Sequence, residues 1–164
     1  DRMISAHLLD SLSLWNLLSG DNILDVGSGG GLPGIPLSIL DPKKSFTLLD
    51  SNGKKTRFLF QVKLELGLEN IEIVNERVEN YKSSKQFDTI VCRAFSSIAN
   101  VIDLTSSILK EDCPLLVMKG VYPSEEIKRL PEGYRVNAIH AVNVPYLQSD
   151  RHVIEVLKEP GMPL

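Results

Sequence analysis

The residues with the greatest capacity for chemistry lie in one run, Leu24-Asp25-Val26-Gly27-Ser28-Gly29-Gly30-Gly31-Leu32-Pro33-Gly34. Consecutive glycines open backbone angles closed to other residues and let a ligand rest directly on the main chain. Two spacings coexist here. Gly29, Gly31 and Gly34 satisfy G-x-G-x-x-G, the dinucleotide fingerprint. Asp25 with Gly27, Ser28, Gly29 and Gly31 satisfies D-x-G-x-G-x-G, the form typical of enzymes that use S-adenosylmethionine. Asp50, about 20 residues downstream, suits either ligand, because a carboxylate there can accept hydrogen bonds from both hydroxyls of an adenosine ribose. It could equally begin a turn or cap the following helix.

The elements around this run must hold it at the rim of a sheet. Ile4, Leu8, Leu12, Trp15 and Leu18 recur at helical spacing and predict an opening helix that stops at Gly20 and Asp21. Ile23 to Val26 reads as a strand leading into the glycines, followed by a helix to Leu40, with Pro33 tolerated near its first turn. Phe46 to Asp50 reads as a second strand. Lys54 to Leu66 reads as a helix with Phe58, Val62 and Leu66 on one face, ending at Gly67. Ile71 to Val74, Phe87 to Cys92 and Leu115 to Lys119 complete the strands, with a helix at Ile98 to Leu109. Short strands alternating with helices imply a doubly wound, mostly parallel α/β sheet. Tyr134 to Val144 and His152 to Leu157 break the alternation and predict a closing antiparallel hairpin.

Ligands of open α/β sheets bind where strand order reverses, at the carboxyl ends of the strands, so topology aims the glycine loop at a ligand. The terminal hairpin favours S-adenosylmethionine, since the sheet of class I methyltransferases closes with an antiparallel strand. A nicotinamide enzyme of this length would also lack a domain for its second substrate. A cofactor that brings its own electrophile needs no metal, nucleophile or acid/base triad, and the sequence suggests none.

Several runs occur together in a fixed order: His7-Leu8-Leu9-Asp10-Ser11-Leu12, Asp25 to Leu37, Leu49-Asp50-Ser51 with Lys54-Lys55, Arg77-Val78-Glu79, Arg93-Ala94-Phe95 and Lys119-Gly120. On these motifs the chain resembles the RsmG (GidB) family over nearly its whole length. The resemblance implies a Rossmann-like S-adenosylmethionine-dependent methyltransferase that modifies N7 of a guanosine in bacterial 16S ribosomal RNA. It implies that Gly27 and Leu32 line the methionine part of the cofactor site, with Gly29, Gly31 and Ser51 beside them. Asp50 would take the ribose, Val78 and Glu79 would wall the adenine, and Arg93 would close the pocket as a positioning residue. Lys54, Lys55, Lys119 and Arg151 would contact RNA phosphates, with His152 adjacent. The family's N-terminal helical segment is expected to be absent from residues 1–164, read as one catalytic domain with a frayed tail at 159–164.

Composition sets the limits. The 164 residues are 43% hydrophobic and 24% charged, which suits a single folded domain. No apolar run approaches the roughly 20 residues that span a bilayer, so a cytoplasmic, non-membrane protein is expected, with a monomer favoured. A net charge of -3 restricts RNA binding to local patches, either Lys54, Lys55, Arg57 and Lys63 or Lys119, Lys128, Arg129, Arg151 and His152. A solvated face is the plainer reading of both. Cys92 and Cys113 lack ligand spacing and are expected to be reduced core thiols. Three rivals stay open: a methyltransferase for another RNA or a small molecule, a nicotinamide oxidoreductase, and a fragment that binds cofactor without catalysis.

Overall fold

The computed structural model describes residues 2–93, 96–145 and 149–161. Seven strands form one sheet in the order β3-β2-β1-β4-β5-β7-β6. They are β1 (Asn22–Val26), β2 (Ser45–Asp50), β3 (Ile71–Asn75), β4 (Thr89–Arg93), β5 (Leu115–Lys119), β6 (Tyr134–Ala141) and β7 (His152–Lys158). The strands β1, β2, β4 and β5 are buried almost throughout, as the near-continuous apolar runs of a covered parallel sheet require. Strand β1 pairs in parallel with both β2 and β4, so the order reverses beside the glycine loop. The predicted hairpin is present, with β7 antiparallel to both β5 and β6. Because β7 lies between them, β6 forms the edge, and its strict alternation of half-buried and exposed residues fits that place.

Among the described residues, five α-helices cover the sheet: α1 (Arg2–Leu12), α2 (Gly34–Leu40), α3 (Gly53–Leu66), α4 (Ile98–Thr105) and α5 (Ser124–Lys128). Leu14, Ile35, Leu37 and Leu59 pack on Phe46, Leu48, Val91 and Leu116 at one face. Ile98, Val101 and Ile102 pack on Leu24, Ile90, Leu115 and Ile154 at the other. Cys92 and Cys113 are free, buried thiols, and burial pushes both up to about 12.

Two helices present a different face from the one their apolar spacing predicts. In α1 and the turn after it, Ile4, Leu8 and Trp15 are exposed, while Ala6, Asp10, Ser11 and Leu14 are buried. Asp10 turns inward because it pairs with Arg93 at the end of β4 and with Arg151 just before β7. In α3, Phe58 and Leu66 are exposed, and Thr56 and Leu59 are buried with Val62 half-buried. A residue turns about 100° per step, so one position of error moves the core face aside. Helix α5 has no counterpart in the sequence-based expectation. The Ala94 and Phe95 of the quoted motif lie outside the described residues, as do 146–148 of the hairpin connection and 162–164 of the expected tail.

Candidate functional site

The carboxyl ends of β1, β2 and β3 open on a cavity of about 470 Å³, inside the ~300–1,000 Å³ range of small-molecule sites. Val26, Leu49, Val78 and Leu104 give it apolar walls. Asp50, Glu76 and Glu79 supply three carboxylates against the cations of Lys55 and Arg77, a balance that favours a cationic guest.

The glycine loop is tied to this cavity from below. Both Gly27 and Ser28 donate their N–H groups to the Leu49 carbonyl, at 2.8 and 3.1 Å, extending the β1 to β2 ladder into the loop. Gly29 adopts φ +57° and donates its N–H to Asp50 Oδ2 at 2.8 Å. Asp50 Oδ1 accepts the Asn52 N–H at 2.8 Å, and Asn52 caps α3 by accepting from Lys54 and Lys55. Asp50 therefore both opens the turn to α3 and stands at the cavity rim; each oxygen keeps a second lone pair. Gly31 serves packing: a Cβ there would fall 2.4 Å from Ile35 Cγ1 and 3.0 Å from Leu59 Cδ2, at φ +89°.

Beneath the loop, Asp25 is fully buried. Its Oδ2 accepts the Gly34 N–H at 2.9 Å, and its Oδ1 has no hydrogen-bond partner among the described residues. Desolvation outweighs the Gly34 hydrogen bond and the nearby Ser28 hydroxyl, which donates to the Asp25 main-chain carbonyl at 2.9 Å, and pushes the carboxyl up to about 7.

A second recess, of about 250 Å³, lies across the sheet at the ends of β4 and β5, lined by Asp10, Arg93, Met118, Lys119, Gly120 and Arg151. Arg93 Nη2 stands 2.8 Å from His7 Nδ1. A guanidinium only donates, so this imidazole nitrogen accepts. The buried Asp10 carboxylate lies between two arginines, 3.9 Å from Arg93 Nη2 and 3.5 Å from Arg151 Nε. His152 Nδ1 donates to the Gly120 carbonyl at 2.8 Å beside this recess.

The sequence-based candidates thus divide. Gly27, Asp50, Ser51, Val78 and Glu79 line the first cavity together, joined there by Lys55 and not by Lys54, although both lysines are exposed. Gly29, Gly31 and Leu32 are not among its lining residues; Gly29 reaches it through Asp50. Arg93, Lys119 and Arg151 share the recess instead. Glu76, Arg77 and Leu104 also line the cavity without a sequence signal of their own, except that Arg77 stands within the Arg77-Val78-Glu79 run.

The model of the family described as rRNA small subunit methyltransferase G, GidB, matches residues 1–154. The chain belongs to that family. Two relatives named ribosomal RNA small subunit methyltransferase G show the extent of the kinship. That of Pseudomonas aeruginosa strain LESB58 is 56% identical over 155 residues, covering 94% of this chain and 72% of the relative. That of Chromobacterium violaceum is 50% identical over 158 residues, covering 96% and 76%. Among solved structures, the glycopeptide N-methyltransferase MtfA, complexed with S-adenosylmethionine, superposes with TM-score 0.75 at 11% identity, covering 93% of this chain and 94% of that one. A Thiobacillus denitrificans methyltransferase in complex with S-adenosylhomocysteine gives TM-score 0.65 at 13% identity, covering 93% and 91%. The rRNA small subunit methyltransferase G family therefore has, in this chain, a methyltransferase fold in which β7 inserts between β5 and β6. An all-parallel dinucleotide-binding sheet would run 3-2-1-4-5-6.

Proposed function

We propose that this chain transfers the methyl group of S-adenosylmethionine to N7 of a guanosine in small-subunit ribosomal RNA, as a cytoplasmic single-domain monomer over residues 1–164. The observation that carries the reading is the Asp50 carboxylate at the cavity rim, bound to Gly29 of the glycine loop. The cavity fits the cofactor on its own terms. Where a Cβ would stand, Gly30 has nothing within 4 Å and Gly29 nothing nearer than 3.8 Å, so the loop is open to a ligand lying against it. The surplus of carboxylates suits a sulfonium.

When bound, the cofactor supplies an electrophilic methyl on a positively charged sulfur. Asp50 would accept from the ribose hydroxyls, Val78 and Glu79 would border the adenine, and Gly27 with Leu32 would flank the methionine arm. Guanine N7 carries an exposed lone pair, so no side chain need remove a proton. The contribution asked of the chain is alignment, which in well-oriented reactions supplies roughly 7–11 kcal/mol. Arg93 and Arg151, both drawn to the Asp10 carboxylate, would grip an RNA phosphate without proton transfer. Lys54 would meet a phosphate outside the cavity.

The test is to map labelled methyl incorporation in small-subunit RNA while measuring S-adenosylhomocysteine binding to Asp50→Ala. Incorporation at one guanine N7, and binding weakened at least ~10-fold by loss of the charged acceptor, is expected. Incorporation at another base nitrogen would overturn the acceptor, and full-strength binding by the variant would overturn the ribose contact.

A further inference from the structure

Lys119 carries a charge visible in the sequence and lines the recess with Arg93 and Arg151. Its ammonium is nevertheless already engaged. Nζ donates to the Ser96 carbonyl at 2.7 Å and to Glu126 at 3.1 Å (Oε1), with Oε2 2.9 Å away. An ammonium has three protons and no acceptor, so these contacts use nearly all of its capacity. The Lys119 side chain is 12% exposed, against 23% for Arg151 and 32% for Arg93.

Glu126, from α5, completes the arrangement. Its Oε2 also accepts the Ile98 N–H at 2.7 Å, at the start of α4. Desolvation alone would raise this carboxyl, but the hydrogen bonds from Lys119 and Ile98 and the Lys119 charge hold it below its usual range. One ion pair thus ties the end of β5 to Ser96 and to the first turn of α4. Those segments follow β4, the strand that ends in Arg93, on the side of the order reversal across from the cofactor cavity. Strand β4 pairs directly with β1, and α4 contributes Leu104 to the cavity lining, so the placement of α4 bears on the cavity where the methyl group would be held.

We propose that Lys119 and Glu126 form a clasp that positions Ser96 and the first turn of α4 for the incoming acceptor, and that Lys119 does not contact RNA phosphate. The inference rests on the methyltransferase reading above and reassigns one residue expected to bind RNA. Glu126 becomes a positioning residue that acts through Lys119 and Ile98.

The experiment compares wild type, Lys119→Met, Glu126→Gln and the double variant Lys119→Met/Glu126→Gln, with Arg151→Ala and Lys119→Arg alongside. Small-subunit RNA binding is measured against salt, together with steady-state methyl transfer. A lost phosphate contact reduces the slope of log affinity against log salt by about one. Arg151→Ala is expected to do so, and Lys119→Met is expected to leave the slope at the wild-type value. Lys119→Met should instead lower kcat ~10-fold or more with KM for RNA within about twofold, the signature of lost alignment. Glu126→Gln should lower kcat in the same way, and the double variant should lose little beyond the worse single one, because the two act as a unit. Lys119→Arg should restore part of kcat. A slope reduced by about one in Lys119→Met with kcat intact, or additive losses, would overturn the clasp.

Should Lys119→Met fail to fold, Glu126→Gln keeps an acceptor for Ile98 and still discriminates: wild-type kcat there contradicts the proposal. If the wild-type chain transfers no methyl to small-subunit RNA, the functional reading fails by itself. The thermal midpoints of the same four proteins then decide the clasp, with coupling supporting it and additivity refuting it.

Discussion

Asp25 occupies a fully buried position beneath the glycine loop, where a charge is costly. With a carboxyl pushed from 3.8 to about 7, the folded chain holds a proton that the unfolded chain has already released over that interval. The stability therefore falls as pH rises from near 3.8 towards 7, and the slope ends above the folded value. Replacing Asp25 by Asn keeps an acceptor for the Gly34 N–H and removes the titration. Thermal midpoints measured from about pH 4 to about pH 8 should decline for wild type relative to a flatter variant; parallel curves would exclude this assignment. The aspartate's place in the loop motif was legible in the sequence, and its burial was not, since burial depends on Gly34 and Leu48 closing over it. The same limit applied to Lys119, whose charge is plain in the sequence while its partner sits in a five-residue helix. A signal for that helix exists in Pro123-Ser124-Glu125-Glu126, a breaker followed by acidic residues in a first turn.

At the scale of elements, every long strand and helix was legible, because apolar runs bounded by glycine or polar residues leave little choice. Which face a helix buries was much less so. Helix α3 carries Phe58, Leu59, Phe60, Leu64 and Leu66 around most of its circumference, so several apolar stripes can be drawn along it. Only the loop it must meet selects Leu59, whose methyl approaches Gly31. Leu59→Ala should accordingly cost about 2–5 kcal/mol and disturb the loop. Phe58→Ala, at an exposed position, should stay within about 0.5 kcal/mol. Urea unfolding of the two variants checks this, and equal losses would return Phe58 to the core. For α1 the buried stripe includes Asp10, and apolar periodicity, which finds the helix, misses a face seated through a carboxylate.

For the molecule as a whole, the two rims of the sheet divide the labour. The cavity and recess gather at the carboxyl ends, while at the amino ends Asp88 Oδ2 accepts the N–H groups of Asp21 and Asn22, both at 2.8 Å. These backbone bonds hold the Asp88 carboxyl below its ordinary 3.8, so its contribution is present above that value and lost as pH falls through the lower folded one. Asp88→Ala should lower stability at neutral pH by roughly 1.5–3 kcal/mol while KM for cofactor stays at the wild-type value. A raised KM would mean that the rims are coupled. The parallel half of the sheet and the hairpin were both foreseeable; the insertion of β7 was not, since nothing local distinguishes which hairpin strand docks on β5.

That insertion carries a consequence for biosynthesis. Strand β6 leaves the ribosome before β7 yet has no seat on the sheet without it, and β5 keeps one flank of unpaired peptide groups until residues 152–158 emerge. A nascent chain halted before that point would present an apolar strand margin competent to recruit another chain, so β7 also seals that margin against self-association.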